Sequence, residues 1–168
     1  MISLKFDGIG VPLDTLHDIQ QNYANVDGGM KSVRTLNGRL SVTSLWKKLK
    51  TTISGNGWRP SDSGMYRGRQ VVLSCIQPRA IDSLARTFEI PLARRMDEGI
   101  KAFAQVNGEY LPIGFSQSGQ SVLVDENIAA TSYRVMYWPE LLVCVMDVSE
   151  AFNHASGDYS WQLTLEEV

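Results

Sequence analysis

Asn37-Gly38 restricts the fold of this chain more than any other feature of its sequence. Asn-Gly accepts the positive φ angles of a tight hairpin turn, and here Val33-Arg34-Thr35-Leu36 precedes it and Arg39-Leu40-Ser41-Val42 follows it. A two-residue type I′ turn at this point predicts that Leu36 pairs with Arg39, Thr35 with Leu40 and Val33 with Val42. One face of the ribbon then carries Val33, Thr35, Leu40 and Val42. A second Asn-Gly, Asn107-Gly108, lies between Ala102–Val106 and Glu109–Ile113, and Ser118-Gly119 precedes Ser121–Val124. Fourteen glycines in all cut the chain into short stretches, which is the punctuation of a β protein.

Those stretches alternate as strands do. Val71, Leu73 and Cys75 share one side of a segment whose other side is Val72, Ser74 and Ile76; a strand apolar on both faces belongs inside a sheet. Tyr133, Val135 and Tyr137 alternate with Arg134 and Met136, and Pro139 separates them from the apolar run Leu141 to Met146. Near the C-terminus Trp161, Leu163 and Leu165 face one way, with Gln162, Thr164 and Glu166 opposite. Helix signals are few. Leu45, Leu49 and Ile53 suit a helical face, but Leu49, Thr51 and Ile53 also alternate, and a brief turn at Ser44–Lys47 leading into a strand is the preferred reading. Arg79 to Thr87 is a second candidate, with Ile81, Leu84 and Ala85 on one side. The expected fold is mainly β, a sandwich or roll of antiparallel strands with at most one or two short helices. Residues 1–95 and 131–168 are expected to form the core domain, and the more polar 96–130 a turn-rich excursion or small subdomain.

A hydrophobic fraction of 43% and a charged fraction of 20% support an ordinary core. Sixteen Lys and Arg against eighteen Asp and Glu leave a net charge of -2, without the basic excess that phosphate neutralisation requires of a dedicated nucleic-acid binder. Lys47, Lys48 and Lys50 are too short a cluster for a basic arm and read as a solvated face. The N-terminus lacks the pattern of a signal peptide, and no apolar run approaches the roughly 18 residues of a membrane helix. A soluble chain made in a cytoplasm is expected, with Cys75 and Cys144 as buried thiols in apolar strands.

Catalytic patterns are missing from the sequence. His17 and His154 lie far apart, and neither has a cysteine or second histidine at zinc-ligand spacing. Gly8-Ile9-Gly10 precedes Val11-Pro12 rather than a helix, so it is not a dinucleotide loop. Asp97-Glu98 after Arg94-Arg95 reads as surface charge that pairs locally or across an interface, and Asp125 and Glu126 as turn residues. No catalytic, cofactor or metal residue is expected. Of the four tryptophans, Trp161 reads as core, whereas Trp58, between Gly57 and Arg59-Pro60, and Trp138, just before Pro139, stand at turn-like positions and are candidate interface residues, together with Tyr66, Arg94 and Arg95.

The order of the segments carries a resemblance. Phe6-Asp7-Gly8-Ile9 opens the chain; Arg34-Thr35-Leu36-Asn37-Gly38 and Trp46 lead to Thr51-Thr52-Ile53-Ser54-Gly55-Asn56-Gly57-Trp58-Arg59-Pro60. Leu73-Ser74-Cys75-Ile76-Gln77-Pro78-Arg79, Pro91-Leu92-Ala93-Arg94-Arg95 and Tyr133-Arg134-Val135-Met136-Tyr137-Trp138-Pro139 follow, and the end reads Tyr159-Ser160-Trp161-Gln162-Leu163-Thr164-Leu165-Glu166-Glu167-Val168. Spread over nearly the whole chain, this layout resembles small structural proteins of tailed bacteriophages, of the distal-tail and tail-tip kind. The resemblance implies a β-sandwich or roll with a flanking helix, and a ring, commonly hexameric, joining the tail tube to hub and receptor-binding parts. It implies a virion tail location after assembly in the host cytoplasm, partners that are copies of itself and other tail proteins, and neither membrane nor specific nucleic acid. A tube, terminator or neck adaptor subunit, or a carbohydrate-binding β-sandwich of the virion, are the alternatives. A hydrolase acting through paired carboxylates ranks below them.

Overall fold

The computed structural model describes residues 4–6, 17–57 and 67–168, and every regular element among them is a strand. The mainly β expectation holds, with one of the sheets curled as a half-barrel. No helix forms at Arg79–Thr87: Arg79–Ser83 is a strand paired with Ser132–Tyr137, because Ile81 is worth more beside Val135 in a sheet core than on an isolated turn of helix. No turn forms at Ser44–Lys47: Ser44 ends a strand and residues 45–48 run without regular structure into the expected strand at Leu49.

The chain divides into two compact units, one of residues 1–4 and 74–141, the other of 5–73 and 142–168. In the first, β7 (Arg79–Ser83), β9 (Lys101–Val106), β10 (Glu109–Pro112) and β13 (Ser132–Tyr137) form a sheet in the order β10-β9-β13-β7. Beside it β8 (Thr87–Glu89), β11 (Phe115–Ser118) and β12 (Ser121–Val124) form a second in the order β11-β12-β8. Alternate residues of both, Phe88, Val122 and Val124 against Ala102, Ala104, Tyr133, Val135 and Tyr137, make one buried cluster, so the two sheets pack as a small sandwich. Residues 96–130 supply four of these seven strands.

The other unit is built on a six-stranded sheet. β1 (Lys5–Phe6), β6 (Gln70–Ser74), β14 (Glu140–Asn153), β15 (Asp158–Glu167), β5 (Leu49–Gly57) and β2 (His17–Asn25) lie side by side in that order, β6 and β14 crossing the boundary between the units. Ile53, Val71, Leu73, Val143, Val145, Trp161, Leu163 and Leu165 are buried, as the alternation of β6 and β15 predicted. The run Leu141 to Met146 is internal to the sheet but buries one face only, leaving Leu142 and Met146 exposed and Cys144 half-buried rather than fully buried like Cys75. Buried Thr51 accepts a hydrogen bond from Gln21 Nε2 at 3.0 Å and donates to the Asn22 carbonyl, so its hydroxyl costs the interior little.

Two Asn-Gly turns came out differently. Asn107 and Gly108 both take positive φ, 52° and 87°, and join Val106 to Glu109 as a two-residue turn. At Asn37-Gly38 only Gly38 does, at 80°, and the loop has three residues between Thr35 and Arg39. The ribbon of β3 (Met30–Arg34) and β4 (Leu40–Ser44) therefore pairs Ser32 with Val42 and Arg34 with Leu40, one residue away from the expected register. Leu40 and Val42 share a face with Met30, and Val33 moves to the other. The cause is local: the Thr35 hydroxyl bonds Asn37 Oδ1 and Arg34 Nη1 donates to the Gly38 carbonyl, while both faces are exposed and no core dictates the register.

Trp161 sits opposite Gly55, and a Cβ built there would lie 2.7 Å from its Cζ2 atom. Gly55→Ala is therefore expected to destabilise the chain by about 1–3 kcal/mol through overpacking, measured as a lower urea midpoint with an unchanged slope.

Candidate functional site

The candidate interface residues fall into two groups. Trp58 and Tyr66 lie outside the described residues. Trp138, Arg94 and Arg95 are brought together, but inside the molecule, at 4%, 9% and 2% exposure. Trp138 donates from Nε1 to the Ile76 carbonyl at 3.0 Å, and the Arg95 amide donates to the Trp138 carbonyl. The Arg95 guanidinium makes a bidentate pair with Asp97, both bonds 2.9 Å, and donates from Nη1 to the Cys75 carbonyl. Its charge is held still more firmly than usual, above all by the Asp97 hydrogen bonds, against the cost of burial. A surface reading of Arg94-Arg95 therefore gives way to a structural corner that ties three loops of one unit; the planar five-donor group can be buried because carboxylate and carbonyl oxygens meet it. Arg94 donates to the Gly119 carbonyl at 3.4 Å, and its Nη1 has no partner among the described residues.

A different place is open to other molecules. At the Gly57 end of β5 the sheet carries two adjoining cavities of about 660 and 460 Å³ that share Asp18, Asn56 and Ser160. Glu150 lines the larger and Asp158 the smaller, and no Lys or Arg among the described residues lines either. Three exposed carboxylates from β2, β14 and β15 thus converge on one surface. Asp18 reaches it because the chain departs from regular pairing between His17 and Gln20, with φ of 51° at Asp18. Among the described residues Trp161 is the aromatic member of the lining, and at 4% exposure it offers no face on which a sugar would stack. Among the described residues no group of three or more His, Cys, Asp and Glu is placed to hold a metal ion, and no helix is long and apolar enough to cross a membrane.

The opposite end of the same strand carries the β3–β4 ribbon. Of the large hydrophobic side chains left exposed, Met30, Val33, Leu36, Leu40, Val42, Leu45 and Trp46 all fall in this short segment, Leu36 at the tip fully so. Its base is fixed by Leu45 donating to the Gly29 carbonyl and by the Trp46 ring lying against Gly29. The cluster Lys47, Lys48 and Lys50, read as a solvated face, is partly tied down: Lys48 Nζ donates to the Val168 carbonyl and Lys50 pairs with Glu166 at 3.6 Å. From Gly28 to Ser61 the chain contains no acidic residue at all, a charge asymmetry that the near-zero net charge hides. Nothing in the order of residues signals the meeting of Asp18 with Glu150 and Asp158, which only strand pairing achieves.

Compared with protein-family models, with curated proteins and with solved structures, the chain matches none.

Arg95→Ala is expected to cost about 2–3 kcal/mol of stability, less than breaking a fully buried pair because Asp97 is 43% exposed. Arg95→Lys restores only part of it, since an ammonium cannot make the paired contact; denaturant titration of the three proteins checks both.

Proposed function

We propose that this chain is a structural subunit of a bacteriophage tail, a ring component of the distal-tail or tail-tip type that joins the tail tube to hub or receptor-binding parts. The observation that carries the reading is the exposed, largely apolar β3–β4 ribbon. A two-stranded ribbon free on both faces is marginal in water by itself, and a concentration of exposed apolar side chains marks a surface made to be covered. The all-β fold agrees with what the resemblance to distal-tail and tail-tip proteins implies, although the flanking helix of that resemblance has no counterpart among the described residues. Among the described residues the open cavity is polar and has no exposed aromatic floor, which supports protein side chains over sugars as its ligands. The subunit works by geometry: rigid sheets hold adhesive edges in fixed directions, and repetition of one contact builds the ring.

The mass of the purified protein in solution, followed by negative-stain imaging, tests this. Closed ring-sized particles are expected, either from the chain alone or on adding tube and hub proteins of the same virion. A particle that stays monomeric under both conditions rules the assignment out.

A further inference from the structure

The ribbon and the acidic cavities sit at opposite ends of one ladder. β5 pairs Leu49 with Asn25 at one end and Gly57 with Tyr159 at the other, a span of roughly 26 Å for nine residues. The β3–β4 ribbon grows from the Leu49 end, between Asn25 and Leu49. The β14–β15 turn and the cavities lined by Asp18, Glu150 and Asp158 occupy the Gly57 end.

Charge separates the two ends. From Met30 to Lys47 the chain holds Lys31, Arg34, Arg39 and Lys47 and no acidic residue. All four are exposed, and Arg34 and Arg39 flank the tip that presents Leu36. At the other end Glu150 and Asp158 belong to β14 and β15, which from Asp147 to Val168 contain no Lys or Arg. Within one chain the ribbon residues are exposed and the cavities open, and the length of the ladder keeps the two ends apart.

We propose that the β3–β4 ribbon is an assembly arm whose occupant surface is the acidic end of a second copy of this chain. Arg34, on the ribbon face it shares with Leu40 and Val42, meets Asp18, Glu150 and Asp158 of the neighbour, with Lys31 and Arg39 adding positive charge from the opposite face, and Leu36, Leu40 and Val42 cover its exposed Phe152 and the aromatic cluster that Phe152 makes with Tyr159 at 4.6 Å. The contact is head-to-tail. Each copy offers one arm and one acidic end, so the contact propagates and closes as a ring when the rotation per step divides a full turn. Opposite charge brings the ends together, and the apolar tip sets how long they stay. This inference rests on the reading of the chain as an assembly subunit and supplies the surface that does the assembling.

Charge reversal tests it. One variant carries Lys31→Glu, Arg34→Glu and Arg39→Glu; a second carries Glu150→Lys and Asp158→Lys. All five positions are exposed, so both proteins should fold, which circular dichroism and thermal melting verify. Sedimentation velocity of the parent should show association. Each variant alone should associate about 100-fold more weakly, as like charges face each other at the contact. An equimolar mixture should recover association to within about tenfold of the parent, because each arm then meets an end of opposite sign. Association untouched by either set, or lost in both without recovery on mixing, overturns the arm while leaving ring assembly through another face. A parent that assembles only with other tail proteins also overturns it. Binding of the parent, but not of the arm variant, to duplex DNA would reassign the basic ribbon to nucleic acid.

Discussion

The ladder between β5 and β15 is the constraint on which the rest of this chain depends. It pairs eight consecutive residues from Lys50 with Glu166 to Gly57 with Tyr159, and its inward positions put Ile53 against Leu163 and Trp161 over Gly55. Register here is dictated by burial. A slip of one residue would send Trp161, Leu163 and Leu165 to the polar face and bring Gln162 and Thr164 inside, an exchange costing about 1.5–3 kcal/mol for each large side chain turned outward. Because that register cannot slip, the two ends of the ladder are fixed relative to one another. The Leu49 end carries the ribbon, and the Gly57 end gathers Asp18, Glu150 and Asp158.

Where burial does not dictate register, local chemistry does, and this difference explains what could be read from the sequence. Trp161, Leu163 and Leu165, and Tyr133, Val135 and Tyr137, are buried as their alternation requires, because a half-buried strand writes its faces into period two. The ribbon at Asn37-Gly38 has no buried face to write. Its alternation of Val33, Leu40 and Val42 looked like one apolar face only under a register that a three-residue loop then displaced by one. Side-chain bonds from Thr35 and Arg34 outweigh the preference of Asn-Gly for a two-residue turn, and Asn107-Gly108, with β9 held by β13 on its other edge, keeps that turn.

Long-range gatherings were less legible. Arg94-Arg95 followed by Asp97-Glu98 looks like ordinary surface charge, since burying a guanidinium is costly unless its donors are met. They are met by atoms from elsewhere, the Cys75 carbonyl among them, and only the fold brings that carbonyl to Arg95. The same holds for Trp138, whose position before Pro139 suggests a turn but whose indole N–H finds the Ile76 carbonyl inside. The acidic end is the extreme case, with Asp18 over a hundred residues from Glu150 in sequence. By contrast the basic, acid-free stretch around the ribbon is visible in the sequence; net charge close to zero concealed it by averaging opposite ends.

In the proposed head-to-tail contact, segregating those charges would do more than attract a neighbour. An exposed two-stranded ribbon is a hazard, because its free edges and apolar side chains invite pairing with any similar ribbon. Lys31, Arg34 and Arg39 make two such arms repel, so a two-fold contact of arm with arm is disfavoured by the same residues that favour arm with acidic end. Two acidic ends repel likewise. Of the ways two identical copies can meet through these surfaces, the head-to-tail one alone sets unlike charges against each other, and it is the one that leaves a free arm and a free end to continue. In the proposed assembly, growth in one direction would follow from the distribution of charge along a single ladder, with the sheet as the spacer that keeps each arm away from its own acidic end.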